Sequence, residues 1–204
     1  MIETLLSFAF ATALLAISPG PDNIFVLTQS IVNGKKFALA TVFGLISGCL
    51  VHTTLLAFGI SPILKESENL FIGVKVFGAI YLLYLSYKVY TSNAAIAFSE
   101  ENTLIKTKKQ LFKEGFIMNV LNPKVSIFFL AFFPGFLFST TLNTVFQFYV
   151  LGVIFMFVSL IVFSMIAILA GAISEKIKRN KRIGYYLKWT QIIVFILIAI
   201  FIIL

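Results

Sequence analysis

Apolar runs of twenty residues and more, parted by short polar clusters, recur along all 204 residues of this chain. A helix needs about 20 mostly apolar residues to cross the roughly 30 Å hydrocarbon core of a bilayer, so each run reads as a membrane span. The first extends from about Thr4 to Val32 and stops at Asn33-Gly34-Lys35-Lys36. The second, about Phe37 to Leu64, carries no formal charge and is followed by a polar loop over 65–69. The third, about Leu70 to Tyr90, leads into a polar stretch of mixed charge from Ser92 to Lys113. From Val125 to Ser174 there is again no formal charge, which is too long for one span. The polar cluster Ser139-Thr140-Thr141-Leu142-Asn143 divides it, predicting a fourth span from about Leu111 to Phe138 and a fifth from about Thr144 to Ile173. A basic connector (Lys176, Lys178, Arg179, Lys181, Arg182) precedes the sixth span, about Ile183 to Leu204.

Composition agrees with this pattern. Hydrophobic residues make up 60% and charged residues 12% of the chain, against about 25% charged in a soluble domain. The expectation is an all-α membrane protein forming one transmembrane domain over 1–204. The first residues carry only Glu3 and no basic stretch, and read as the first half of a retained helix rather than a signal peptide. The net charge of +8 would suggest nucleic acid in a soluble protein. Here the basic residues lie in short loops, so they report topology and contact with anionic lipid, and nucleic acid is not an expected partner. Thirteen of the sixteen Lys and Arg fall on the side of the first, third and fifth loops, which places those loops in the cytoplasm and both termini outside. The 24 phenylalanines fit lipid contact, and the one cysteine, Cys49, reads as packing. No cofactor is implied.

Two of the spans are interrupted. Ile17-Ser18-Pro19-Gly20-Pro21-Asp22-Asn23 sits inside the first. Two prolines around a glycine remove backbone donors and forbid a regular helix there. An opened backbone and a carboxylate at membrane depth are tolerated only where they face protein or a water-filled cavity. The fourth span has its own break, Asn119-Val120-Leu121-Asn122-Pro123-Lys124. Asp22 and Lys124 each lie about 10–12 residues from the cytoplasmic end of their span, or about 15–18 Å deep at 1.5 Å per residue. Each break opens a unit of three spans, and an odd number makes the two units run in opposite directions. The predicted architecture is therefore six helices as two inverted three-helix repeats, about 1–91 and 111–204, joined by a cytoplasmic loop over about 92–110. In secondary transporters of this kind the site forms where the broken helices meet.

These motifs resemble a known family. Pro19-Gly20-Pro21-Asp22, Gly44/Gly48/His52, and Gly115-Phe116 followed by Asn119, Leu121-Asn122-Pro123-Lys124 and Phe128-Phe129 are similar to the LysE/RhtB family of amino-acid exporters. The resemblance covers essentially the whole chain. It implies efflux of amino acids or their derivatives across the bacterial inner membrane, driven by the proton or membrane-potential gradient, and no enzyme activity. It does not name the substrate.

The residues of the two breaks, Pro19, Gly20, Pro21, Asp22 and Asn23 with Asn119, Asn122, Pro123 and Lys124, are the candidate substrate site. Asp22 suits a substrate ammonium, a coupling proton, an ion pair with Lys124, or a cap on the helix restarting at Pro21. Lys124 suits a substrate carboxylate or a lock on a closed state. Asn119 and Asn122 can satisfy opened backbone or bind substrate. The restarting helices also offer free N–H groups to an anion. His52, the only histidine, titrates near neutral pH and suits proton coupling or an interhelical hydrogen bond. Gly44 and Gly48 share its helix face and suit close packing, a gate, or a homodimer face. The main expectation is a proton-coupled amino-acid exporter working by alternating access. The rivals are a metal-ion exporter, for which one Asp, one His and one Cys are few ligands, a passive channel, and an intramembrane hydrolase, which the spacing around Ser47 does not suit.

Overall fold

The computed structural model describes residues 1–66, 68–92, 106–179 and 182–203, and these are helical apart from short connections. The helices are α1 (Ile2–Ile17), α2 (Pro21–Asn33), α3 (Lys35–Glu66), α4 (Glu68–Thr91), α5 (Lys108–Val120), α6 (Pro123–Ile127), α7 (Thr144–Arg179) and α8 (Arg182–Ile203). After α6 the chain continues as a π-helical turn over Phe128–Phe132 and a 3-10 turn over Phe133–Phe136. Four helices (α3, α4, α7 and α8) contain stretches long and apolar enough to span a membrane, and six spans result if each bent pair counts as one. The two bent pairs are the interrupted spans: α1 and α2 meet at 60°, and α5 meets the segment Pro123–Phe136 at 48°.

The breaks follow from proline sterics. A residue before proline is pushed out of the α region, and Ser18 (ψ 119°) and Asn122 (ψ 108°) are both there. Gly20 is fully extended, and Pro21 and Pro123 then each occupy a first helical position, where a missing N–H costs nothing. Gly34 alone links α2 to α3, with φ +88°, a conformation that favours glycine.

Several boundaries differ from expectation. The fourth span starts earlier, at Lys108, because Thr107 and Gln110 form a reciprocal capping box. Its regular α-helix ends at Ile127 and its helical turns at Phe136, short of Phe138. Pro134 cannot donate to Leu130, and the winding before it opens into the π turn. The expected loop over 65–69 is helical on both sides of the undescribed residue 67, and the basic connector is helical through Arg179. Most of the central loop, 93–105, lies outside the described residues, as do 180–181 within the basic connector. The Ser139–Asn143 division is observed as a loop held by one buried side chain. Gln147 accepts from the Phe138 and Ser139 amides at 2.8 and 2.9 Å and donates to the Ser139 and Leu142 carbonyls.

Two buried clusters organise the packing. One is aromatic: Phe8 of α1, Phe128, Phe129, Phe132, Phe133 and Phe136 beyond the second break, and Phe155 of α7. Its closest ring pair, Phe129 and Phe133, stacks at 4.0 Å. Phenylalanine is therefore not only lipid-facing here. The other is mainly aliphatic, built from Val26 of α2, Ala38, Val42 and Leu45 of α3, and Phe163 and Ala167 of α7. Across the first break, α1 feeds the first cluster and α2 the second, whereas α3 and α7 contribute to both.

Candidate functional site

The first break leaves α1 with carbonyls that a continuous helix would have bonded. Pro19 cannot donate to Leu15, four residues back. Lys124 fills the gap from the other broken span: its Nζ donates to the carbonyls of Leu15 and Ser18, each at 3.1 Å. An ammonium at the negative end of a helix is favourably placed. Asn23 donates from Nδ2 to the Ala16 carbonyl at 2.7 Å, closing the next position.

The second break repeats the pattern. Pro123 cannot donate to Asn119, again four residues back. The Asn119 carbonyl takes the Asn122 amide at 3.0 Å and His52 Nε2 at 3.1 Å. A carbonyl only accepts, so Nε2 is the protonated nitrogen and His52 donates. Of the two roles weighed for His52, the interhelical hydrogen bond is the one seen. Cys49, read from the sequence as a packing residue, is buried one residue from Gly48, and its Sγ also contacts Asn119 Oδ1 at 3.7 Å.

Asn122 joins the two breaks. Its Oδ1 accepts the Lys124 backbone amide at 3.0 Å, capping α6. Its Nδ2 donates to Asp22 Oδ2 at 2.8 Å. Asp22 is 5% exposed, and its second oxygen, Oδ1, is buried without a hydrogen-bond partner. Sequence depth alone suggested that Asp22 and Lys124 would pair directly. They form no direct ion pair: the lysine is drawn to the opened carbonyls of α1, and the acid is held by Asn122. Backbone acceptors created by Pro19 outcompete a carboxylate that the asparagine already holds.

Gly44, Gly48 and His52 do share one face, and that face is used inside the chain. A Cβ on Gly44 would fall 2.0 Å from the Phe112 carbonyl oxygen, and one on Gly48 would fall 2.7 Å from Asn119 Oδ1. Gly115 of α5 meets the Thr41 carbonyl in the same way. The glycines therefore let α3 and α5 approach closely and are not free to form a face between copies. Asp22, Asn23, Asn119, Asn122, Lys124 and His52 are all buried, so the junction of the two breaks is closed off from the surface. Among the described residues no group of three or more His, Cys, Asp or Glu is placed to hold a metal ion.

Two interrupted membrane helices that meet around a buried acid and a buried ammonium have the architecture of a multi-pass membrane transport protein. The chain belongs to the LysE type translocator family, whose model matches residues 13–204. It is 32% identical over 178 residues to the homoserine/homoserine lactone efflux protein of Salmonella typhimurium strain LT2, covering 86% of this chain and 84% of that one. The protein of the same description from Salmonella typhi matches with the same identity and coverage. No solved structure matches the chain. The family and these relatives are transporters, not enzymes.

Proposed function

We propose that this chain exports small amino acids and their derivatives from the bacterial cytoplasm, with homoserine-type compounds as the first candidates. The observation that carries this reading is Asp22 Oδ1, a buried carboxylate oxygen with no protein partner at the junction of the two breaks. Such an oxygen suits a substrate ammonium, and the relatives described as homoserine/homoserine lactone efflux proteins handle molecules of that chemistry. A carboxylate that binds an ammonium in one state and a proton in the other couples export to proton entry.

Alternating access follows from treating α1–α4 and α5–α8 as two inverted three-span units. The packing supports this: α3 rests on the broken span α5 of the other unit, and α7 rests on the broken span α1 and α2. The site residues Pro19, Gly20, Pro21, Asp22, Asn23, Asn119, Asn122, Pro123 and Lys124 then lie where the units rock, with the basic loops cytoplasmic and the termini outside. His52, Gly44 and Gly48 act on gating through the position of α5.

The test is counterflow of labelled homoserine in proteoliposomes, with and without an imposed pH gradient. Wild type is expected to accumulate label faster when protons can move against the substrate, and Asp22→Asn to retain less than about a tenth of that rate. Asn at position 22 transporting as fast as Asp would remove the carboxylate from the mechanism.

A further inference from the structure

An amino acid has two charged ends, and among the described residues Lys124 is the one buried Lys or Arg. It is already engaged. Two of its three ammonium hydrogens go to the Leu15 and Ser18 carbonyls, and its Nζ lies 5.7 Å from the centre of the Phe195 ring. Releasing it to a substrate carboxylate would strip two opened carbonyls of their donor in a water-poor setting, each at a cost comparable to a lost hydrogen bond. The first turn of α2 is no better an anion site, because Asp22 itself sits there and would repel a second carboxylate. The α6 terminus is closed by Asn122 Oδ1. What the junction leaves open is an acceptor, Asp22 Oδ1, and the buried hydroxyl of Ser18, which has no partner.

We propose that the site recognises its substrate through the ammonium group and does not read the carboxyl end. The substrate class is then small primary ammonium compounds, including carboxyl-blocked ones such as amino-acid esters, amides and lactones. N-acylated derivatives, which keep the carboxylate and lose the ammonium, are excluded. This rests on Asp22 as the ammonium receptor and adds that, among the described residues, no unengaged cation is buried at the junction to pair with the carboxylate.

Competition against labelled homoserine counterflow tests it with the intact protein, using unlabelled homoserine, homoserine methyl ester and N-acetylhomoserine. The methyl ester is expected to compete within about fivefold of homoserine. N-acetylhomoserine is expected to compete at least about 30-fold more weakly, the scale of leaving a buried charge without its partner. Lys124→Met repeats the set where it folds, and its ratio of ester to homoserine should match wild type within about threefold, since the ammonium of Lys124 does not read the carboxyl. An ester that fails to compete, or an N-acetyl compound that competes as well as homoserine, overturns the inference while leaving homoserine export standing. Absence of homoserine counterflow in wild type overturns the proposed function, and this inference with it.

Discussion

Asn122 performs two tasks with one side chain, and they can be separated by substitution. Its Oδ1 caps α6 through the Lys124 amide at 3.0 Å, and its Nδ2 holds Asp22 at 2.8 Å. Losing an N-cap costs about 1 kcal/mol, within a range of about 0.5–2. Losing a buried hydrogen bond to a charged group costs about 1.5–3 kcal/mol. Asn122→Ala loses both, so it is expected to destabilise the protein by about 2.5–4 kcal/mol. Asn122→Ser keeps an acceptor that caps well but is too short to donate to Asp22 as well, so only the second loss of about 1.5–3 kcal/mol applies. The expected order is Asn, Ser, Ala, with the larger step first. Unfolding titrated with denaturing detergent in mixed micelles reads these differences. Ser and Ala variants of equal stability would show that the cap is not made. An Ala variant within about 0.5 kcal/mol of wild type would refute the bridge altogether.

The other expectations can be checked individually. His52→Gln keeps an N–H donor for the Asn119 carbonyl and should transport within about threefold of wild type, whereas His52→Ala should lose roughly tenfold, as about 1.4 kcal/mol of lost hydrogen bond implies; equal losses in labelled counterflow would indicate that the imidazole itself is required. Gly44→Val places a side chain 2.0 Å from the Phe112 carbonyl oxygen, where carbon–oxygen contacts want about 3.3 Å, and should abolish the monodisperse folded peak in size-exclusion chromatography. Gln147→Leu strands the Phe138 and Ser139 amides, should cost about 2–4 kcal/mol, and should open residues 139–143 to protease, with unchanged cleavage as the contrary result.

Much of the architecture could be read from one-dimensional pattern. The spans, the Ser139–Asn143 division and the breaks depend on local hydrophobicity and on proline, whose effects reach four residues. The start of α5 was equally legible, since Thr107-x-x-Gln110 is a capping-box signature, but apolar run length placed it at Leu111. The aromatic cluster also left a trace: Phe128, Phe129, Phe132, Phe133 and Phe136 repeat at helical spacing on one face, which a count of phenylalanines does not show. The glycine and histidine stripe of α3 was visible as a face, but not what the face meets.

The sequence alone determined that this is a multi-span helical membrane protein, that two spans are broken, and that an acid and a base sit at those breaks. These are properties of single segments in hydrocarbon, where each backbone group must find a partner nearby. Tertiary structure decided which partners those are. Proline orphans a carbonyl at a known position, yet the donor that fills it comes from a distant segment: Lys124 for Leu15, and His52 for Asn119. Depth suggested pairing Asp22 with Lys124, but competition among buried acceptors is settled by geometry. The geometry gave the lysine to the backbone and left one oxygen of Asp22 free.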